Sequence, residues 1–335
     1  PDFLPKSGVE LTCFADCRML IVDNDILRGL ERDDALKGYE GQPDFLGVFN
    51  LKTMAPVLSF SDEFTKAAAT FEDIFKAKYP NGVTANDVDY SKSDDDMERL
   101  ALISFTSGTS SSPKGVMLSV RSLSSNIRFA HKAIPVQVGG RVLSILPLAH
   151  MFGMTFDFLY PLSIGGQTTV LAKKPTPARL LAALAEVKPF MFLTVPMVIE
   201  KVFKTKVIPM LSKPAMKVAL AIPVLNKIIL KAVCKKLYNT FGGNLIHGVI
   251  IGGAALNKDV EKWMKKMKFP YCVGYGMTEC GPIISFRHWT DFTPSSCGAL
   301  VRPLELRIDS TNPAKVLGEI QVKGDNVMVG YYKNE

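Results

Sequence analysis

The chain has 335 residues, 47% of them hydrophobic and 21% charged, a composition that supports a sizeable folded core and more than one average domain and excludes a disordered or fibrous protein. Its six cysteines (Cys13, Cys17, Cys234, Cys272, Cys280 and Cys297) form no CxxC pair and have no histidine at ligand spacing, so a zinc ribbon is excluded and reduced thiols in a cytoplasmic protein are expected. The net charge of +8 arises from clustered lysines, no apolar run is long enough to span a bilayer, and the first residues, PDFLPKSGVE, have neither the basic nor the apolar region of a signal peptide.

Because the chain starts at Pro1 rather than Met, it is expected to be a piece of a longer protein. From the start, the patterning predicts a helix around 11–17, strands at 19–22 and 46–49, and a helix over 60–77, followed by an acidic surface stretch at 87–98. A buried strand is expected at 101–105. Directly after it, Thr106, Ser107, Gly108, Thr109, Ser110, Ser111 and Ser112 place six hydroxyls and one glycine in seven positions. Small side chains let backbone N–H groups turn towards an anion, hydroxyls add donors, and Lys114 supplies a positive charge behind Pro113. The Walker template fails here, because Pro113 precedes Lys114 and Gly115 follows it. A flexible serine-rich linker is the bland alternative, but a linker does not sit between two apolar runs.

Beyond the loop come a helix over 120–133, a strand at 142–146, a helix through 156–162, a strand at 167–171, a helix over 177–187 with proline in its first turn, and a strand at 190–195. Long helices over 197–211 and 215–238 precede a strand at 245–251, a lysine-rich helix over 258–267 and a strand at 271–274. This alternation predicts an α/β fold with mainly parallel sheets flanked by helices. From about 298 the pattern changes to short strands, at 304–308 and 319–322, as in a small β-barrel-like subdomain. Residues 1–297 are therefore assigned to the α/β part and 298–335 to the start of the β part.

Nine lysines fall between Lys201 and Lys236, and five between Lys258 and Lys268. Such basic faces can attract nucleic acid, anionic lipid or a phosphate-rich cofactor, or can be the solvated sides of amphipathic helices. No aromatic residues interleave with them as a single-strand platform requires, so no nucleic-acid partner is expected, while peripheral membrane association stays open.

Three further constellations lie at strand ends. Gly252-Gly253-Ala254-Ala255 can let a flat ring lie against backbone, or can serve helix–strand packing alone. Val273-Gly274-Tyr275-Gly276-Met277-Thr278-Glu279 offers an aromatic face at Tyr275, a hydroxyl at Thr278 and a hard oxygen ligand at Glu279; a core tyrosine and a surface glutamate are the plain alternative. In Leu146-Pro147-Leu148-Ala149-His150-Met151-Phe152-Gly153, a lone histidine beside apolar residues reads by spacing as structural.

In this order the segments resemble the adenylate-forming, or AMP-binding, superfamily. TSGTSSSPKG is similar to its phosphate loop, with Ser111 where a glycine is usual. Gly318 to Tyr332 matches a further family segment, mostly structural, with Asp325 where proline is common. Val195 to Phe203 and the basic helical insertion after it are most similar to long-chain fatty acid–CoA ligases. The resemblance implies that Thr106, Ser107, Gly108, Thr109, Ser110 and Lys114 hold the phosphates of ATP. Gly253, Ala254 and Ala255 would wall the adenine pocket, and Tyr275 and Gly276 would face the ring. Thr278 would contact the α-phosphate, and Glu279 would hold Mg²⁺. Thr278, Glu279, Lys114 and His150 are the implied catalytic set, and His150, Phe152, Gly153, Val273 and Gly274 the implied acyl pocket, with Gly153 setting its width.

The implied reaction is activation of a carboxylic acid to acyl-AMP, followed by capture by the thiol of CoA. Loading of a carrier protein, or nucleotide binding without turnover by this piece, are the alternatives. The family's ribose-binding Asp, hinge and small C-terminal domain with its adenylation lysine are expected to lie beyond Glu335.

Overall fold

In the computed structural model, which describes residues 5–53, 55–87, 96–106, 113–171 and 175–334, the chain forms two compact units, Pro1–Asp95 and Asp96–Glu335. In the first, strand β1 (Met19–Val22) pairs in parallel with β2 (Gly47–Asn50), and β2 pairs antiparallel with β3 (Ala55–Ser59). The crossover runs through helix Asn24–Arg32, whose cap Asp23 accepts from the N–H groups of Asp25 and Ile26. Its Leu27 and Leu30 are buried with Val22, Tyr39, Phe45 and Val48. The helix expected over 60–77 forms as Asp62–Lys78, whereas the one expected over 11–17 lies earlier, at Pro5–Phe14, the chain leaving the helix where Asp16 takes φ 51°. Strand β3 was not expected: Pro56 breaks its pattern, which an edge strand tolerates.

In the second unit, β4 (Leu100–Thr106) and β5 (Lys114–Ser119), which flank the serine-rich stretch in sequence, form an antiparallel pair with Thr106 opposite Lys114. The strand expected to be buried is mostly half-exposed. Ser104 is the buried residue of β4, because β5 takes the central position and β4 the edge. Ser119 then caps helix Val120–Ala133 by accepting from Ser122 N–H at 3.2 Å.

The centre of this unit is a parallel layer of β6 (Arg141–Ser144), β7 (Gln167–Val170), β8 (Phe192–Thr194), β9 (Val249–Ile251) and β10 (Tyr271–Val273). Its order is 7-6-8-9-10, with β6 joined to β8 by the Val142–Met191 bridge. Side-chain alternation divides the core in two. Leu143, Phe192, Val249, Ile251, Tyr271 and Val273 pack with helices Pro177–Val187, Pro223–Thr240 and Lys258–Met267. Val142, Met191, Leu193, Ile250 and Cys272 face the other way, onto Ala130, Phe156 and Tyr160.

After the parallel layer, β11 (Tyr275–Gly276) runs antiparallel to β12 (Ile283–Phe286), itself paired with β13 (Ala299–Leu300). A hairpin of β14 (Glu305–Asp309) and β15 (Glu319–Lys323) follows, and β16 (Gly330–Tyr331) returns to pair with β5.

Prolines shape the helices in ways the periodicity alone did not indicate. The helix expected over 215–238 is two, Pro214–Ala221 and Pro223–Thr240, because Pro223 cannot continue a helix and starts a new one. Helical runs 151–163 and 196–211 each contain a wide π turn, Met154–Leu159 and Phe203–Val207, just before Pro161 and Pro209. Pro161 has no N–H for the carbonyl of Asp157, and Thr168 Oγ1 donates to that carbonyl instead, at 2.8 Å. The Asp157 side chain is fully buried with neither carboxyl oxygen hydrogen-bonded, and burial pushes its carboxyl well above the usual range.

Candidate functional site

The carboxyl ends of the parallel strands converge on one cavity of about 390 Å³. Val195 follows β8 there, Gly252 and Gly253 follow β9, and Gly274 follows β10. This is where an open α/β sheet receives ligands, since side chains of the layer end and loops diverge. Phe129, Phe156, Leu193, Ile250, Ile283 and Phe286 form an apolar wall, while His150, Tyr275, Met277 and Thr278 line the same space. The Phe152 ring meets Phe156 edge-on, with centroids 6.2 Å apart, and lies against Gly252, where an added Cβ would come within 3.1 Å of it.

The loop that follows β9 beyond the cavity is tied to its neighbours. Glu200 Oε1 accepts from Asn257 N–H at 2.9 Å and Oε2 from Lys204 Nζ at 2.8 Å, which ties the loop after β9 to helical run 196–211. The Lys204 hydrogen bond holds the Glu200 carboxyl below its usual range.

The turn carrying Thr278 and Glu279 is clamped more elaborately. Asn126, buried in helix Val120–Ala133, donates through Nδ2 to Ser122 O at 2.8 Å and Cys280 O at 3.2 Å, and accepts from Ile283 N–H at 3.0 Å. Thr155 Oγ1 donates to Gly281 O at 3.2 Å. Gly276 cannot be replaced, because a Cβ there would lie 2.0 Å from Pro282 O across the β11–β12 pair.

Lys114 and Glu279 meet through a residue that sequence reasoning had treated as structural. The Lys114 Nζ lies 4.9 Å above the Tyr331 ring, and Tyr331 OH donates to Glu279 Oε1 at 2.9 Å. Burial, reinforced by the Glu279 carboxylate, raises the Tyr331 phenol above its ordinary value, so the proton stays on Tyr331. The backbone holds the same junction: Met328 N–H donates to Glu279 O at 2.8 Å, and Tyr332 N–H to Gly115 O at 2.7 Å.

A family model described as AMP-binding enzyme matches residues 16–332. The chain belongs to the AMP-binding enzyme family. Among curated relatives it is 31% identical over 265 residues to long-chain-fatty-acid–CoA ligase 3 of Saccharomyces cerevisiae, covering 70% of this chain and 36% of that one. It is 26% identical over 287 residues to the long-chain-fatty-acid–[acyl-carrier-protein] ligase AEE15 of Arabidopsis thaliana, covering 71% and 39%. The chain thus spans less than half the length of these relatives. Its fold is like that of ATP-bound MatB from Rhodopseudomonas palustris, with TM-score 0.66 and 20% identity over 99% of this chain and 55% of that one. The two units therefore have the fold of the N-terminal domain of adenylate-forming enzymes.

Within this AMP-binding fold, His150, Phe152, Gly153, Gly253, Gly274, Tyr275, Gly276 and Thr278 all line the cavity. Ala254 and Ala255 are exposed beside it, and Thr106 ends β4 opposite Lys114. Ser107, Gly108, Thr109, Ser110 and Ser111 lie outside the described residues.

Two expected roles change. Val273 does not line the cavity: it alternates with Cys272 and points into the opposite core, so Gly274 alone borders the space at that strand. Gly153 borders the space from inside a helix, where a Cβ would meet Pro147 O at 3.0 Å and the Leu146 side chain at 3.1 Å, so a side chain there has to displace its own turn before it fills the cavity. Tyr331 and Asn126 are the residues that reading the sequence missed. For Asn126 a signal existed, since Ser122, Asn126 and Ala130 fall on one buried helical stripe.

Proposed function

We propose that this chain is the ATP-binding part of an enzyme that activates a carboxylic acid, a medium- or long-chain fatty acid, to acyl-AMP and passes the acyl group to the thiol of CoA. The observation that carries this reading is the apolar cavity at the strand ends, which has the volume of a small-molecule site and opens beside Thr278 and the Lys114–Tyr331–Glu279 junction.

An apolar tail lies along Phe152, Phe156 and Ile283, leaving its carboxylate near His150 and Thr278. The carboxylate oxygen attacks the α-phosphorus of ATP, the bond from that phosphorus to the bridging oxygen breaks, and its electron pair leaves with pyrophosphate. No general base is required, because the nucleophile is already an anion; the protein's task is to offset negative charge, through Lys114 and the serine loop. Tyr275, more than a third exposed, offers its face to adenine, and Thr278 a hydroxyl to the α-phosphate.

Glu279 would hold Mg²⁺. No group of three His, Cys, Asp or Glu side chains converges among the described residues, and one carboxylate suits an ion that takes its remaining ligands from phosphates and water. When bound, the ion adds charge neutralisation at the phosphates. In the second step the CoA sulfur attacks the acyl carbon, the bond to AMP oxygen breaks, and the thiol proton passes to solvent. Transfer to a carrier protein is the second reading, favoured by the similarity to AEE15.

The test uses the intact protein and acid-dependent pyrophosphate release over saturated acids from butyrate to palmitate, with CoA and phosphopantetheinyl carrier protein as alternative acceptors. Gly252→Ala removes cavity volume directly or by displacing the Phe152 ring. It is expected to cost the longest acids about tenfold in kcat/KM and butyrate almost nothing. Parallel profiles for the two proteins would place the tail elsewhere, and a wild type preferring aryl acids would refute the fatty-acid reading.

A further inference from the structure

Between Lys201 and Asn257 the chain carries nine lysines and no acidic residue. The structure adds what composition could not show, an apolar tip inside this basic segment. Helices Pro214–Ala221 and Pro223–Thr240 form a hairpin whose inner side chains, Met216, Leu220, Ile229 and Val233, pack on the core. Its outer side does the reverse of what solvent favours. Val218 is 68% exposed, Ile222 47%, Val224 67%, Leu225 40% and Ile228 58%. Every residue from Ala221 to Leu225 is exposed, and Lys213, Lys217, Lys227 and Lys231 are exposed around them. The tip is held in shape, since Asn226 Nδ2 donates to Leu220 O at 2.7 Å and Asn226 N–H to Ile222 O at 2.8 Å.

We propose that this hairpin tip docks the protein on an anionic lipid bilayer, Ile222, Val224, Leu225 and Ile228 entering the headgroup–acyl boundary while the lysines around them meet anionic headgroups. Contiguous exposed aliphatics mark an interaction site rather than a solvated helix face, and a basic collar around an apolar tip is the arrangement that an interfacial helix uses. No helix among the described residues is long and apolar enough to cross a membrane, so the tip lies in the interface. Charge selects among occupants. A second copy would bring lysines against lysines with no carboxylate from this segment between them, and nucleic acid would leave the aliphatic side chains unburied.

The experiment is sedimentation of the intact protein with vesicles of phosphatidylcholine alone or mixed with phosphatidylglycerol. The protein is expected to bind the mixed vesicles, less so as salt rises. Val224→Ser combined with Ile228→Ser should weaken partitioning at least about tenfold. Lys227→Gln and Lys231→Gln should each weaken it about fivefold and flatten the salt dependence. All four side chains are exposed, so unchanged melting temperatures separate docking from folding. Val224→Trp should shift its emission to the blue on mixed vesicles only. Failure of the wild type to bind mixed vesicles, binding indifferent to the serine variant, or self-association in solution that the serine variant abolishes would each overturn the proposal.

Discussion

Tyr331 joins the two charges that the proposed phosphate chemistry uses, carrying Lys114 on its ring face and donating its phenol to Glu279. Tyr331→Phe keeps the ring and deletes the hydrogen bond. A bond to a charged group contributes about 1.5–3 kcal/mol, so acid-dependent pyrophosphate release should fall roughly 10- to 100-fold, with a higher Mg²⁺ requirement and an unchanged KM for the acid. Glu279→Gln should cost more, about 10²–10³-fold, since the amide cannot replace the charge at all. A Phe variant with wild-type Mg²⁺ dependence would show that the phenol does not position Glu279. No local pattern marks Tyr331, because its role depends on β16 returning to β5 from the far end of the chain. Lys114, Thr278 and Glu279, by contrast, each stand inside a short motif that marks them as candidates from the sequence, and Thr278 lines the cavity.

At the scale of elements, the turn between β11 and β12 gets its shape from a helix remote in sequence. Asn126→Ala would strip the buried Cys280 carbonyl and Ile283 N–H of their partners at once. Each buried group left unpaired costs about 1–3 kcal/mol, so a loss of about 3 kcal/mol in urea unfolding is expected, together with reduced turnover because Thr278 and Glu279 ride on that turn. Normal stability in the variant would mean that the turn holds itself. Helices Val120–Ala133, Pro177–Val187 and Lys258–Met267 were readable to their ends from a capping residue or a first-turn proline. The π turns before Pro161 and Pro209 were not, since no residue type or cap marks where a helix takes in the extra residue of a wide turn.

For the molecule as a whole, acid is expected to be destabilising through a histidine pair, His247 buried and His288 half-buried. His247 Nε2 faces Pro135 O at 2.9 Å, an acceptor, so it carries the proton; its Nδ1 therefore accepts from His288 Nε2 at 3.1 Å. Burial lowers both imidazoles below their ordinary 6.5, Asp291 partly opposing this at His288. With folded values below unfolded ones, stability is full above about pH 6.5 and falls as pH drops through that value towards the folded ones, by at most about 1.4 kcal/mol per pH unit for each group. His247→Gln should lower the plateau and flatten the slope in urea midpoints measured from pH 8 to pH 5. Equal slopes for variant and wild type would remove the pair from the acid response.

What the sequence by itself determined is the set of α/β elements and the motifs that mark the AMP-binding family, because periodicity and side-chain chemistry are local. Only the tertiary structure decided which face of a strand borders the cavity, excluding Val273 and admitting Phe129, Ile283 and Phe286. Alternation says that neighbouring residues point apart, but which side is hollow depends on what packs there. It also decided that Gly153 is enclosed by backbone, that Tyr331 lies between Lys114 and Glu279, and that the apolar residues beside the lysines of the 214–240 hairpin face outward. Gly153 meets only its own turn, at Leu146 and Pro147, but the other facts are contacts, or a lack of cover, between segments far apart in the chain, and no short stretch of sequence carries them.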